Sequence, residues 1–247
     1  MRSHDACVLI DAGISAKRIR AHLGELGLGI EDLDGICITH EHGDHIKALP
    51  QLGVKYGIPV YANADTASFI ARKKRYENIP WKIFTTGHDF SIGSLTFHAF
   101  TIPHDAMDPV GFVVEGGGKR IGFATDIGLA TRLVKGHLSG CHVLLLETNH
   151  DRLLLEDCER PWSTKQRIAG RQGHLSNEEA CELLRAVTGP ELEQVYLGHI
   201  SQDCNQLELA ESTVRLTLKD LSRMDVRISL TYPDRPAIPW TSISPKE

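Results

Sequence analysis

Three histidines and an aspartate lie close together in residues 39–45, which read THEHGDH. The segment follows the apolar run Gly35–Ile38, so we expect it at the carboxyl end of a strand. Residues two apart on an extended chain point to the same side, which brings the imidazoles of His40 and His42 together. Gly43 permits a sharp turn, and the aspartate and the last histidine then begin a helix.

These four side chains have the chemistry of metal ligands. So close along the chain, they cannot all face one ion from one regular element. Divided between a strand end and a helix start, they can serve two neighbouring ions. Three imidazoles and a carboxylate, without a thiolate, suit Zn²⁺, Mn²⁺ or Fe²⁺. The alternative is a polar loop in which the histidines occur together by chance.

The elements that must position these residues alternate between β-branched apolar runs and helical patterns, and no linker divides them. Helices are predicted over residues 44–56, 64–76 and 177–187. The last is the best defined, because Ser176 can cap it and Glu179 completes a capping box. The connection before His174 has no clear pattern. The alternation predicts an α/β chain, with sheets sandwiched between helices or a doubly wound sheet as the open choices.

Composition narrows the function classes. The 247 residues carry a net charge of −5, so binding to a polyanion must depend on a local basic patch or on bound metal. No apolar run reaches the roughly 20 residues of a membrane helix, and no secretory signal is visible, which favours a cytoplasmic protein without a membrane partner. The six cysteines form no C-x-x-C pair and are expected to be reduced thiols, mostly in the core.

The H-x-H-x-D-H motif is that of the metallo-β-lactamase superfamily. Four residues at predicted strand ends resemble the remaining motifs of that superfamily, in order: Asp11, His104, Asp126 and His199. The resemblance implies an α/β fold, the αββα four-layer sandwich of the metallo-β-lactamase type, as a single domain over residues 1–247. Taken singly, Asp11 fits equally well as the cap of the helix near Ser15, and each of the others as a residue satisfied by backbone.

The resemblance also implies two divalent metal ions, either Zn²⁺ or Mn²⁺, with Fe²⁺ as a third option. The ligands of one ion would be His40, His42 and His104. The ligands of the other would be Asp44, His45 and His199, with Asp126 bridging the two. Asp11 and Asp105 would support these ligands without binding metal.

Three further segments resemble the YycJ (WalJ) branch of the superfamily. They are Glu147-Thr148-Asn149-His150-Asp151, Gly173-His174-Leu175-Ser176-Asn177 and Gly198-His199-Ile200-Ser201. Members of this branch are described as nucleases, with DNA exonuclease activity implied. In such an enzyme a hydroxide bridging the metals attacks phosphorus, and a histidine held by a glutamate protonates the leaving oxygen. The expected catalytic residues are Asp44, Glu147 and His174, although His174 also fits as a mere partner of the helix cap.

Candidate substrate-binding residues surround these segments: Asn149, His150, Arg167 and Arg171. The arginines belong to a basic connection, residues 160–171, that could hold flanking phosphates. Within it, Trp162 either stacks on an unpaired base or packs against the body of the protein. The run at residues 72–75 is a second basic cluster, interpreted as a charged helix face.

The leading hypothesis is a dinuclear metal-dependent phosphodiesterase acting on single-stranded DNA or RNA, most simply a DNA exonuclease. A second hypothesis is hydrolysis of a small ester, thioester or cyclic phosphodiester by the same centre. A third is a metal-binding protein without turnover. The sequence does not distinguish DNA from RNA and does not give the oligomeric state.

Overall fold

The structure, a computed structural model, describes residues 1–242. The chain forms two compact units, Met1–Gly117 and Gly118–Glu247. The single domain over residues 1–247 therefore stays a prediction. Within residues 1–242, no helix is both long enough and apolar enough to cross a membrane.

The first unit contains a parallel sheet in the order β1-β2-β3-β4 and three antiparallel strands, β5 to β7. The parallel strands are β1 Val8–Ile10, β2 Gly35–Cys37, β3 Val60–Asn63 and β4 Trp81–Phe84. The antiparallel strands are β5 Asp89–Ile92, β6 Leu95–Thr101 and β7 Val110–Gly116. The helices are α1 Ala16–Glu25, α2 Gly43–Ile46 and α3 Ala64–Ala71. Ile36, Ile38, Leu49 and Leu52 belong to the buried core beside the parallel sheet.

The second unit contains four parallel strands in the order β8-β9-β10-β11. They are β8 Lys119–Ala124, β9 Val143–Glu147, β10 Gln194–Gly198 and β11 Arg227–Leu230. Five helices accompany them: α4 Arg132–Leu138, α5 Arg152–Asp157, α6 Trp162–Ile168, α7 Asn177–Val187 and α8 Leu207–Asp220. Because parallel strands end at the same edge of a sheet, the residues that follow β8, β9 and β10 meet there.

The helix predicted over residues 177–187 is confirmed as α7, with its capping box. The Ser176 hydroxyl accepts from the Glu179 amide at 3.2 Å, and the Glu179 carboxylate accepts from the Ser176 amide at 2.9 Å. Two of the four amides left unsatisfied at a helix start are thereby bonded. The cap fixes the segment that carries His174 immediately before it.

Other predicted elements were wrong in extent. The helix expected over residues 44–56 is divided into α2 and a π-helical turn at Pro50–Lys55, because proline lacks the amide that would continue the helix. The helix expected over residues 64–76 ends at Ala71. The connection before His174, expected to be patternless, contains α6, and α5 immediately precedes it. Strands β4 and β5 were not predicted. The six cysteines are free, and five of them are buried.

Candidate metal centre and catalytic residues

The first ligand set, His40, His42 and His104, lies in the first unit. One ring nitrogen from each residue lies within 4.8 Å of the others. Nδ1 of His42 is 3.0 Å from Nε2 of His40 and 3.3 Å from Nε2 of His104. Nitrogens bound about 2.0–2.1 Å from a tetrahedral zinc ion are roughly 3.3 Å apart, so this spacing fits a single metal ion.

The protonation state of His40 also fits metal binding. Its side chain is fully buried. Burial is the main reason that the pKa of His40 lies far below its ordinary value, and the nearby rings of His45 and His104 lower it further. A neutral imidazole has the lone pair that a metal requires, so His40 needs little deprotonation before it binds.

Asp11 holds the candidate metal-binding loop, residues 39–45, through three hydrogen bonds. Its carboxylate accepts from the Thr39 amide at 2.9 Å, the Thr39 hydroxyl at 2.8 Å and Nδ1 of His45 at 2.8 Å. The cap of α1 is Ser15, whose hydroxyl accepts from Arg18. Asp11 therefore orients His45 and holds Thr39 beside His40, the arrangement that second-layer carboxylates give to metal-binding histidines.

Asp44 and Asp105 lie beside candidate ligand histidines. An oxygen of the exposed Asp44 carboxylate is 3.9 Å from Nε2 of His45. An oxygen of Asp105 is 3.5 Å from Nε2 of His104. Asp44 thus lies near Nε2 of His45, the ring nitrogen that does not contact Asp11. A second ligand of an ion bound to His45 would lie on this side of the ring.

A second cluster, Asp126, Glu147, His174 and His199, lies in the second unit, with one polar atom of each within 4.8 Å of the others. One oxygen of Glu147 accepts from Nδ1 of His174 at 2.8 Å and from Nδ1 of His199 at 2.7 Å. The second oxygen accepts from the backbone amides of Ile127 and Leu175 at 3.0 and 3.2 Å. One buried carboxylate thus fixes two imidazole rings at once.

Glu147 is ionised in spite of its full burial. Burial raises the pKa of this carboxyl, but the hydrogen bonds from His174 and His199 outweigh it and bring the pKa well below its ordinary value. With Nδ1 of His199 protonated toward Glu147, the lone pair of a neutral His199 ring lies on Nε2. Nε2 of His199 lies 3.6 Å from the Asp126 carboxylate, so both groups can serve as ligands.

Three candidate residues have left-handed backbone conformations, which are uncommon outside glycine. They are Asp11, Asp126 and His199, with φ values of 59°, 58° and 54°. Each follows a parallel strand, at the point where the chain turns to present its side chain at the sheet edge. Such conformations concentrate at functional sites, where neighbouring contacts hold them.

The predicted substrate-binding residues lie in the same unit as the second cluster. The side-chain amide of Asn149 donates to the His199 backbone carbonyl at 2.9 Å, and His150 is buried. Arg167, Arg171 and Trp162 are exposed on α6 and the loop after it. The backbone amide of His174 donates to the carbonyl of Ile168, the last residue of α6, at 2.8 Å. The basic helix therefore leads directly to His174.

Sequence reasoning missed two contacts. Glu41, between two ligand histidines, accepts from the Met107 amide at 2.9 Å and so ties the loop after His104 to the metal-binding loop. The sharing of Glu147 between His174 and His199 was also missed. A buried glutamate inside a histidine motif is a signal for the first contact. No local pattern signals the second, since 52 positions separate Glu147 from His199.

Comparisons with known proteins show which family the chain resembles. Residues 7–200 match the model of a family described as the beta-lactamase superfamily domain. Exodeoxyribonuclease YycJ of Bacillus anthracis is 36% identical over 216 residues, which cover 86% of this chain and 81% of that protein. Exodeoxyribonuclease WalJ of Streptococcus pneumoniae serotype 2 is 35% identical over 242 residues, covering 96% and 90%.

A solved structure shows the fold. The metallo-beta-lactamase fold protein YhfI of Bacillus subtilis aligns with a TM-score of 0.69 at 16% identity, covering 96% of this chain and 88% of that one. The predicted metallo-β-lactamase fold class and the resemblance to the YycJ branch are confirmed.

Proposed function

Because the chain belongs to the beta-lactamase superfamily domain family, we propose that it is a metal-dependent exodeoxyribonuclease. The names of the two bacterial relatives support this activity. The observation that carries the proposal is the Glu147 carboxylate, which orients a candidate ligand, His199, and a candidate acid, His174. The cytoplasm, where bacterial DNA lies, is the proposed location.

The proposal includes two divalent ions, Zn²⁺ or Mn²⁺ with Fe²⁺ as a third option. We assign His40, His42 and His104 to one ion. We assign Asp44, His45 and His199 to the other, with Asp126 as the bridging ligand. Bound ions of this kind lower the pKa of water and stabilise negative charge on phosphoryl oxygens. The donor chemistry supports the assignment, since neutral imidazoles and carboxylates suit these metals.

His174 is the proposed acid for the leaving oxygen. Its Nδ1 is held by Glu147 at 2.8 Å, so Nε2 is the atom that would transfer a proton. Gly173 lets the chain approach α6 closely, since a Cβ there would lie 2.2 Å from the carbonyl oxygens of Arg167 and Ile168. Backbone packing thus sets the position of His174.

An end-labelling assay tests the proposal. Single-stranded DNA and RNA, labelled at either end, are incubated with protein loaded with Mn²⁺ or Zn²⁺, beside Asp126→Ala and His174→Ala variants. We expect stepwise shortening of DNA by the wild type and its loss in both variants. Intact DNA with metal-loaded wild type would refute the activity.

A small phosphodiester reporter distinguishes the main alternative. The net charge of −5 favours a small substrate over a polyanion. Rapid turnover of the reporter by a wild type that leaves every polynucleotide intact would select hydrolysis of a small ester or cyclic phosphodiester. No turnover of either substrate, with metal bound, would select a metal-binding protein without activity.

A further inference from the structure

A cavity of about 330 Å³ lies within the second unit, between α5, α6 and the start of α7. The Trp162 ring lines it and is 68% exposed, although tryptophan is among the side chains that gain most from burial. Trp162 is therefore not packed against the protein body, which answers the question left open by the sequence. An exposed indole at a cavity provides a flat apolar wall for a planar ligand.

His150 supplies a buried polar atom at the same cavity. Its side chain lines the cavity and is 1% exposed. Nδ1 of His150 has no hydrogen-bond partner among residues 1–242. A buried polar atom without a partner is costly and rare in native structures, so a ligand group that bonds to His150 would remove that cost.

The charges around the cavity balance. Arg152 forms an ion pair with Glu179 at 3.2 Å, and Lys165 donates to the Glu156 carbonyl at 2.5 Å. Two cationic and two acidic residues therefore line the cavity: Arg152, Lys165, Glu156 and Glu179. A phosphate in the cavity would be repelled by the carboxylates as well as attracted by the cations. An uncharged polar ring would find hydrogen-bond donors and acceptors on the same residues.

The size of the cavity suits one such ring. Ligand pockets span about 300–1,000 Å³, and this cavity is near the lower limit. It has room for a single nucleobase and not for a stack of bases.

The cavity is linked to His174 through the backbone. A parallel β-bridge joins His150 to Ser176, and Ser176 lies two positions after His174 in the sequence. Helix α6, which carries Trp162, ends at the carbonyl that accepts from the His174 amide. A nucleotide whose base occupied the cavity would therefore have its backbone close to the segment that carries the proposed acid.

We propose that this cavity binds one unpaired nucleobase of single-stranded DNA, stacked on Trp162 and hydrogen-bonded by His150. The inference rests on the proposed nuclease function and names how the substrate is held. Stacking on an aromatic side chain tolerates any base, as an exonuclease that shortens arbitrary sequences requires.

The test measures binding of short single-stranded DNA, with cleavage-resistant phosphorothioate linkages, to the metal-loaded full chain. One series of oligonucleotides has a single abasic site at successive positions from the end. The proteins are wild type, Trp162→Ala, Trp162→Phe and the matched control Leu153→Ala, since Leu153 is 70% exposed on neighbouring α5. Turnover of a small phosphodiester reporter monitors the metal centre separately.

We expect Trp162→Ala to weaken binding about 5- to 100-fold, Trp162→Phe to restore most of it and Leu153→Ala to have no effect. One abasic position should weaken wild-type binding and have no further effect on Trp162→Ala, since both changes remove the same contact. Reporter turnover should be unchanged in Leu153→Ala and measures, in the Trp162 variants, how much of any loss comes from the metal centre.

Two results would overturn the inference, and they differ. In the first result, the wild type shortens DNA, but Trp162→Ala binds DNA equally well or every abasic position lowers the affinity of both proteins by the same factor. The cavity then does not hold a base, and the nuclease function stands. If the metal-loaded wild type neither binds nor cleaves DNA, the proposed function fails and the inference fails with it.

Discussion

Glu147 is the residue on which the positions of the His174 and His199 rings depend. Two imidazoles donate to one of its oxygens and two backbone amides to the other, so no single neighbour can replace it. A group that orients both a proposed metal ligand, His199, and a proposed proton donor, His174, should affect metal affinity and turnover together. His174 has only the proposed role of proton donor, so its replacement should affect turnover alone.

Comparison of Glu147→Gln with His174→Ala tests this division of roles. Glu147→Gln should weaken metal binding about 10- to 100-fold, because the ring of His199 loses its carboxylate partner. His174→Ala should retain the bound metal and lose DNA cleavage by about 10²- to 10⁴-fold. Metal analysis after dialysis and a cleavage assay measure both. Glu182→Gln, on the exposed face of α7, is the control, and equal metal loss in both test variants would contradict the roles.

The buried imidazole of His40 predicts a pH effect on the metal-free protein. Its pKa is lowered in the folded state, mainly by burial, so below pH 6.5 the unfolded chain binds a proton there that the folded chain does not. The free energy of unfolding should fall as pH drops below that value, by no more than about 1.4 kcal/mol per pH unit from this group. Thermal unfolding from neutral to acidic pH in chelator measures it.

His40→Asn should flatten that pH dependence, while His88→Asn, at an exposed position, should leave it as in the wild type. The slope should not vanish in His40→Asn, because other histidines surround it. If the free energy of unfolding fell with pH in parallel for wild type and His40→Asn, the buried His40 would not be the group responsible for the pH dependence.

At this scale the sequence was informative where residue type and spacing carry chemistry. The histidines within residues 39–45 stood out because imidazoles two apart on a strand can share an ion. The partner of Glu147 was foreseen only as His174, by family resemblance. Its contact with His199 depends on the adjacency of β9 and β10, which no local pattern encodes.

At the scale of elements, two glycines with different surroundings show what positions the metal-binding loop. A Cβ on Gly13, which follows β1, would lie 1.4 Å from the backbone oxygen of Asp44. The start of α2 can approach β1 so closely only because that side chain is absent. A Cβ on Gly24, near the end of α1, would meet no atom of another element within 4 Å among residues 1–242.

Alanine substitutions at these two positions should therefore have opposite effects. Gly13→Ala should push the turn at Asp44 away, lower the free energy of unfolding by about 1–3 kcal/mol and weaken metal binding. Gly24→Ala should stabilise the protein by about 0.5–1 kcal/mol, since alanine favours the helix. Denaturant unfolding and metal titration measure both effects. Full metal affinity in Gly13→Ala would exclude this packing as the cause.

The predicted elements failed where tertiary contacts outweigh local pattern. Pro50 interrupts a region whose apolar spacing resembles one helix. Helices α5 and α6 contain six and seven residues, too few for a clear period of 3.6. Helix α7 was predicted correctly because its capping box and apolar face agree, so local and tertiary preferences point to the same boundaries.

At the scale of the whole molecule, an acidic protein is proposed to bind an acidic polymer. The charge of −5 excludes attraction by the overall field, so the energy of binding must come from the metal centre, base stacking and a few local cations. The two basic clusters are not equivalent in this respect. Residues 160–171 lead to His174, whereas the run at residues 72–75 lies at the end of α3 in the other unit.

The salt dependence of DNA binding separates these clusters. Each phosphate contact on a single strand contributes about 0.7 to the slope of log Kd against log salt concentration, because a counterion is released. Arg167→Ala and Arg171→Ala should each lower the slope by about that amount. Arg75→Ala should not, since the Arg75 guanidinium already lies over the Tyr76 ring at 4.6 Å. Fluorescence anisotropy over a salt series, with phosphorothioate DNA, gives the slopes. If all three variants lowered the slope equally, the DNA strand would contact both basic clusters. Residues 160–171 would then not be the main binding surface for its phosphates.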